Sequence, residues 1–353
     1  MTERKIPTIV TGVQPTGPSH LGHYAGIYRN MVALQEREAR RFYFIADYHS
    51  LSEDYDPSEK SRQIMDLAAE LLAIGVDPKK TTLFVQSHVP EHTELCWILN
   101  TVTPISFLER MTQYKDKASR QKQNINVGLF AYPVLQAADI LIYRADQVPV
   151  GRDQLQHLEL TRDIAGFFNN RFGRYFTEPK PLLTETPKIR GLNDPLKKMS
   201  KSLGGKSYVA LRDDPDTICA KLKSAVTETT GILKYSEEEL ERRLGGPNPA
   251  LTDGEGTDLC GQAGAYNLLT LLKLAGGERE ARLIMAGQPI RYGELKRLVA
   301  ERLSDHFADF RQKYEKFRED EDHLKEILKK GAETAGKTAG ETLKEVRKLV
   351  GVR

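Results

Sequence analysis

The sequence lacks several things, and each absence narrows what the protein can be. It has three cysteines among 353 residues, Cys96, Cys219 and Cys260, far apart and in no metal or redox spacing. They support neither a disulfide framework, a structural zinc site nor an iron–sulfur cluster, and predict buried thiols in a reducing compartment. No apolar run approaches the ~20 residues that cross a bilayer. Charge of one sign is not in excess, since Lys+Arg 52 against Asp+Glu 49 leaves net +3. That balance neither requires nor excludes a nucleic-acid partner. Repeats and low-complexity tracts are absent, and the one tryptophan, Trp97, is expected to serve packing. Met1–Lys5 leads into a strand-like run rather than a secretory apolar segment. These readings predict a soluble, cytoplasmic protein of one large or two medium domains, with no membrane partner.

What is present begins with an alternation of strands and helices. Residues 6–13 (IPTIVTGV) read as a buried strand running into the tight loop Gln14-Pro15-Thr16-Gly17-Pro18. A helical pattern follows from Ser19-His20-Leu21-Gly22-His23. Residues 41–47 and 81–86 read as second and third strands, separated by a helix that starts at Asp56-Pro57-Ser58-Glu59, a cap with proline in the first turn. This β-α-β-α-β order predicts an α/β fold with a doubly wound parallel sheet. Its strand–loop–helix places the loop at a strand's carboxyl end, where ligands bind. The stretch 109–122 carries five basic residues against two acidic ones; it is either a solvated helix end or a cationic cover over a polyanion. A nearly continuous apolar run, 129–143, suits a buried helix after Pro133, yet it contains Asp139. A buried carboxylate is costly without donors, so Asp139 is either paired internally or awaits a ligand N–H. His88 and His92 have a ligand-like spacing, but they straddle Pro90 and no third ligand is evident. Beyond residue 214 the pattern is helical, with segments at 264–276 and 293–309 and breaks near 245–263. Gly331, Gly336 and Gly340 predict that residues 315–349 form two helices or a kinked one.

The chemistry concentrates in two motifs. The first is Pro15-x4-His20-Leu21-Gly22-His23, and the second is the loop Lys198-Met199-Ser200-Lys201-Ser202. Imidazoles at a helix start donate hydrogen bonds to phosphates, and glycine admits a nucleotide close to the backbone. Lysine is a flexible point charge suited to a polyphosphate whose charge shifts during reaction. Stabilising charge on a departing pyrophosphate is worth ~3–4 kcal/mol per well-placed donor.

On these residues the sequence resembles the class I aminoacyl-tRNA synthetases, with their HIGH and KMSKS motifs. The stretches Gly12–Gly17, Glu109–Gln113, Tyr132–Leu141, Val148–Gly151 and Asp153-Gln154 are similar to the tryptophanyl-tRNA synthetase family. The likeness runs from about residue 8 to the C-terminus and is densest before residue 230. It implies a Rossmann-like catalytic domain of HUP type at 1–192, with an inserted dimer-interface segment at about 85–130. A helical anticodon-recognition domain would follow at 193–298, starting with the KMSKS loop, and the helices of 299–353 would pack back on the catalytic domain. It further implies a homodimer that makes tryptophanyl-adenylate from L-tryptophan and ATP with Mg2+, then charges tRNA(Trp).

Carried over by position, the resemblance assigns Asp139 to the indole N–H. Tyr132, Gln154 and His49 go to the rest of the amino acid, and Val10, Gly12, Gln136, Val148 and Val150 line its pocket. Gln14, Thr16, His20, Gly22, His23, Gly151, Asp153, Ile189, Met199 and Ser200 go to ATP. Lys115, Lys117, Lys198 and Lys201, with His20 and His23, carry the catalytic charge stabilisation. The substrate's own carboxylate attacks, so no enzymic nucleophile or base is required. Three positions depart from the family pattern. Val10 stands where many members carry phenylalanine, which implies a looser wall. Arg152 replaces the glutamate of GEDQ and adds positive charge beside the ribose. Gln136 stands where some members have methionine. A tyrosine-activating synthetase of the same class and a non-enzymatic, synthetase-like RNA- or nucleotide-binding paralogue are the alternatives.

Overall fold

The computed structural model describes residues 6–112, 125–151, 154–183, 187–245 and 253–352, with only the backbone for 253–257. Five strands, β1 (Thr8–Val13), β2 (Arg40–Ile45), β3 (Thr82–Val85), β4 (Gln147–Val150) and β5 (Lys180–Leu183), form one all-parallel sheet in the order β3-β2-β1-β4-β5. Helices α1 (Leu21–His23), α2 (Arg29–Leu34), α3 (Pro57–Ala73), α4 (Glu91–Asn100), α5 (Ile105–Glu109), α6 (Val127–Leu141) and α7 (Leu155–Phe172) alternate with the strands. Then come α8 (Pro215–Lys223), α9 (Glu237–Leu244), α10 (Asp253–Leu274), α11 (Glu278–Ala286), α12 (Tyr292–His306), α13 (Ala308–Glu319) and α14 (Glu321–Val350).

The chain forms two compact units: Met1–Gly17 with Asn30–Glu185 and Tyr314–Arg353, and Pro18–Arg29 with Thr186–Lys313. The first unit holds the sheet. Ile9, Val10, Phe42, Tyr43, Phe44, Ile45, Leu83, Phe84 and Val85 are all buried, as a parallel sheet covered on both faces demands. The strand order reverses between β1 and β4, the place where such sheets open a ligand crevice. Those two strands are in register at Ile9↔Gln147, near their amino ends, and share no further ladder pair among the described residues. Their carboxyl ends carry Gly12, Val13 and Val150.

Two helices differ from the sequence expectation. Helix α6 begins at Val127, not after Pro133, because Asn126 Oδ1 caps it by accepting from Leu129 N–H at 2.9 Å. Pro133 sits inside and removes one helical hydrogen bond. Burial of Leu129, Tyr132, Val134 and Ala137 around it offsets that loss. Residues 315–349 do fall on two helices, α13 and α14, but the break is at Asp320 rather than at a glycine, and α14 is one uninterrupted 30-residue helix. Its buried stripe, Leu324, Leu328, Gly331, Ala335, Ala339, Leu343 and Val346, recurs every three or four residues and packs on β3. Gly331 is there as a notch rather than a break, since a Cβ on it would lie 1.8 Å from the Leu83 carbonyl oxygen of β3. Gly331→Ala is expected to destabilise the protein by ~3 kcal/mol or more. Gly336 has open space around its missing Cβ, so Gly336→Ala should stabilise by roughly 0.5–1 kcal/mol. Denaturant midpoints compare the two; equal effects would contradict the notch.

Trp97 does not pack in the core. Helix α4 turns His92, Leu95, Ile98 and Leu99 inward, and Trp97 is left 72% exposed on the other side.

Among the described residues, the second unit is helical, with no strand beyond isolated bridges. Asp214 caps α8 by accepting from Thr217 N–H at 2.8 Å, with Pro215 in the first turn. Helix α12 packs on α8 and α10, and α10 also packs on α9 and α11. No described helix is long and apolar enough to cross a membrane.

Candidate active site

The second unit brings the two sequence motifs together. Backbone pairing does it: Leu21 N–H donates to Val209 O at 3.1 Å, Leu211 N–H donates to Ser19 O at 2.9 Å, and His20 bridges Ala210. The His-x-Gly-His start is thereby tied to the chain that leaves the Lys/Ser loop. Gly22 sits close to Met199, and a Cβ on Gly22 would crowd the His20 ring at 2.9 Å.

The two imidazoles have defined tautomers. His20 Nδ1 accepts from Gly22 N–H at 3.1 Å, and His23 Nδ1 accepts from His20 N–H at 3.1 Å, a reciprocal helix cap. With both Nδ1 atoms used as acceptors, each neutral ring carries its proton on Nε2. The rings stack with centroids 3.8 Å apart. Burial, then the charges of Lys201 and Lys198, lowers His20 to about 4. Burial, His20 and the same lysines hold His23 well below the ordinary histidine value. Both rings are therefore neutral N–H donors at pH 7. A π-helical turn, Tyr24–Tyr28, follows directly, a local irregularity frequent at functional sites.

The Lys/Ser loop is anchored at its middle and exposed at its flanks. Met199 is buried, as is Ile189, whose carbonyl accepts from Met199 N–H at 3.0 Å. Arg190 is fixed in turn by Asn267, which accepts from its N–H and donates to its carbonyl. Ser200 caps the 3-10 turn Lys201–Leu203, and Ser207 Oγ donates to Ser200 O at 2.6 Å. Lys198 is exposed and Lys201 half-buried.

The first unit holds the second cluster, around Asp139 on α6. This carboxyl is 1% exposed. Its Oδ1 accepts from Gln86 Nε2 at 2.7 Å and from His92 Nδ1 at 2.6 Å; its Oδ2 accepts from His49 Nε2 at 2.7 Å. Burial opposes the charge, but the bonds from His49 and His92 outweigh it and hold the carboxyl below the usual range. Val10, Val148 and Val150 belong to the same buried apolar cluster as Ala137 and Ala138, the residues just before Asp139. Gly12 is exposed, and the Phe44 ring lies where its Cβ would be, 2.5 Å away. Tyr132 is buried with its hydroxyl 2.9 Å from His157 Nε2. Gln136, Gln154, Gln14 and Gly151 are half-buried, and Thr16 is exposed in the loop after β1. Asp139 is thus an anionic acceptor held by three buried donors, on a helix whose Val134, Ala137 and Ala138 are buried with it.

Residues 2–246 match the family described as class I tRNA synthetases (W and Y). Tryptophan–tRNA ligase 2 of Streptomyces avermitilis is 43% identical, over 98% of this chain and 97% of its own. The tryptophan–tRNA ligase of Rickettsia conorii is 42% identical over 98% of both. The chain belongs to the tryptophanyl-tRNA synthetase family. Its fold agrees, with a TM-score of 0.80 and 34% identity to the tryptophanyl-tRNA synthetase of Campylobacter jejuni, solved with ADP and tryptophan, over 98% of this chain and 99% of that one.

Four site residues or departures expected for this family, Lys115, Lys117, Arg152 and Asp153, lie outside the described residues. Conversely, the sequence did not signal the roles of Gln86 and His92 around Asp139, of Tyr143, whose hydroxyl lies 2.7 Å from His92 Nε2, or of Asn267 behind the Lys/Ser loop, with one exception. For His92 a signal exists. It falls on one face of α4 with Leu95 and Leu99, at i, i+3 and i+7, and a histidine on an apolar stripe needs a buried partner.

Proposed function

We propose that this chain activates L-tryptophan with ATP, releasing pyrophosphate, and transfers the tryptophanyl group from the adenylate to the 3′ end of tRNA(Trp). The observation that carries this reading is Asp139, a buried, ionised acceptor that follows Ala137 and Ala138 in the chain, two residues of the apolar cluster that also holds Val10, Val148 and Val150. An apolar ring with one N–H matches it. The Campylobacter jejuni relative was solved with tryptophan and ADP, in line with the same pair of ligands here. Tyr132, Gln154 and His49 serve the rest of the amino acid. Mg2+ enters with ATP, held by the phosphate oxygens.

The chemistry is positioning and charge stabilisation. The tryptophan carboxylate attacks the α-phosphorus, and negative charge builds on the pyrophosphate that leaves. Neutral His20 and His23 donate from Nε2, while Lys198 and Lys201, joined by Lys115 and Lys117, supply positive charge. Gln14, Thr16, Gly22, Gly151, Asp153, Ile189, Met199 and Ser200 bind the nucleotide. The segment 193–298 reads the anticodon. The enzyme works in the cytoplasm as a homodimer joined through about 85–130, a stretch that exposes Trp97, Ile105, Ile125 and Val127.

Amino-acid-dependent exchange of labelled pyrophosphate into ATP, run with all twenty amino acids and no tRNA, tests this reading. Exchange with tryptophan alone is expected. Exchange with tyrosine would overturn the pocket while keeping the mechanism, and none from folded protein with Mg2+ would favour a non-enzymatic paralogue.

A further inference from the structure

The donors around Asp139 are unevenly shared. A carboxylate has about four lone-pair sites, two on each oxygen. Among the described residues, Gln86 and His92 fill both sites of Oδ1, whereas His49 occupies only one of Oδ2. Behind His92 stands a third group: its Nε2 lies 2.7 Å from the Tyr143 hydroxyl. Tyr143 is fixed in turn by stacking on Phe42, with centroids 4.3 Å apart.

The directions of these bonds follow from chemistry. An ionised carboxylate only accepts, so His92 Nδ1 donates to it, and in the neutral ring Nε2 is then an acceptor. Burial and the Asp139 charge push the Tyr143 hydroxyl far up, so it keeps its proton and donates. The result is a one-way chain, Tyr143 O–H to His92 to Asp139. Gln86 is constrained likewise. Its Nε2 must face the carboxylate, which leaves its fully buried Oε1 without a hydrogen-bond partner among the described residues. An orphaned buried acceptor is costly, and a purely structural glutamine does not require that cost.

We infer that Gln86 and His92, with Tyr143 oriented behind His92, are positioning residues for amino-acid selection: they saturate Oδ1 and leave one site on Oδ2 as the acceptor for the substrate ring N–H. This rests on the reading of Asp139 as the indole acceptor. Selection then depends on three residues that touch Asp139 or His92 rather than the substrate. A donor reaching Oδ2 completes the carboxylate's shell, and a ring without N–H leaves that site of a buried carboxylate unfilled.

The test compares tryptophan with its isostere in which sulfur replaces the indole N–H, using kcat/KM from pyrophosphate exchange. Wild type is expected to prefer tryptophan by on the order of 10⁴, the discrimination reached by sites built around a substrate hydrogen bond. His92→Leu should lower that ratio by at least about tenfold, through a raised KM for tryptophan with the sulfur analogue little changed. His92→Asn, which keeps an N–H near the Nδ1 position, should recover most of it. Tyr143→Phe removes only a hydroxyl and keeps the ring stack, so it covers the case in which His92→Leu fails to fold; it should lower the ratio by about threefold. A wild type with no preference would overturn the reading of Asp139 itself. A wild-type preference that survives both His92→Leu and Tyr143→Phe unchanged would overturn this inference alone.

Discussion

Lys201→Ala is expected to cut tryptophan-dependent pyrophosphate exchange by roughly 10²–10³, while the fold and tryptophan binding persist. The fold should survive because the loop is held by other atoms: Met199 N–H on Ile189 O, the Ser200 cap and the Ser207 hydroxyl. None of these uses the Lys201 side chain. Tryptophan binding should survive because the proposed recognition set, centred on Asp139, contains no residue of this loop. The lost interaction is one made to charge that develops only as pyrophosphate departs, so kcat should fall far more than KM for tryptophan rises. A second readout comes from His20. The Lys201 charge is the largest influence after burial that lowers this histidine to about 4. Removing it favours the protonated ring, so the His20 midpoint, followed by NMR, should rise from about 4. An unchanged exchange rate would remove Lys201 from the mechanism, and an unmoved His20 would mean that the two groups do not sense each other.

How far the sequence reaches is seen best in particular elements. The strands β1, β2 and β3 and the caps of α3 and α8 were legible because their signals are local: β-branched or aromatic runs, or Asp followed by proline. Local rules failed where a distant surface decides. Gly331 reads as a helix breaker, yet it is selected by the β3 backbone against which it lies. Pro133 reads as a helix start, yet burial on both sides carries the helix through it. Helix α10 begins at Asp253, within a stretch that reads as a break. The attachment of Pro18–Arg29 to the second unit was equally hidden, because it depends on a backbone pairing between His20 and Ala210, far apart in sequence. The motifs at His20–His23 and Lys198–Ser202 announced their chemistry by residue type. Their tautomers did not follow from residue type, since only the cap geometry shows that both Nδ1 atoms are acceptors.

Asp139 poses the sharpest case, because the sequence left two readings open: an acid paired internally, or one awaiting a ligand. The structure shows three internal donors, and the count of lone pairs makes the two readings compatible. Asp139→Ala should therefore do two things at once. It removes the proposed acceptor for the indole N–H, so the preference for tryptophan over phenylalanine in exchange should fall by at least about 10². It also leaves Gln86, His92 and His49 as buried donors without an acceptor, at roughly 1–3 kcal/mol for each one unsatisfied. A lowered unfolding midpoint should accompany the lost selectivity. The pairing of outcomes decides between the readings. Lost stability with unchanged discrimination against phenylalanine would make Asp139 a structural acid only. Lost discrimination in protein that remains folded at the assay temperature would place the acid in recognition, with its internal partners serving to keep it charged and fixed.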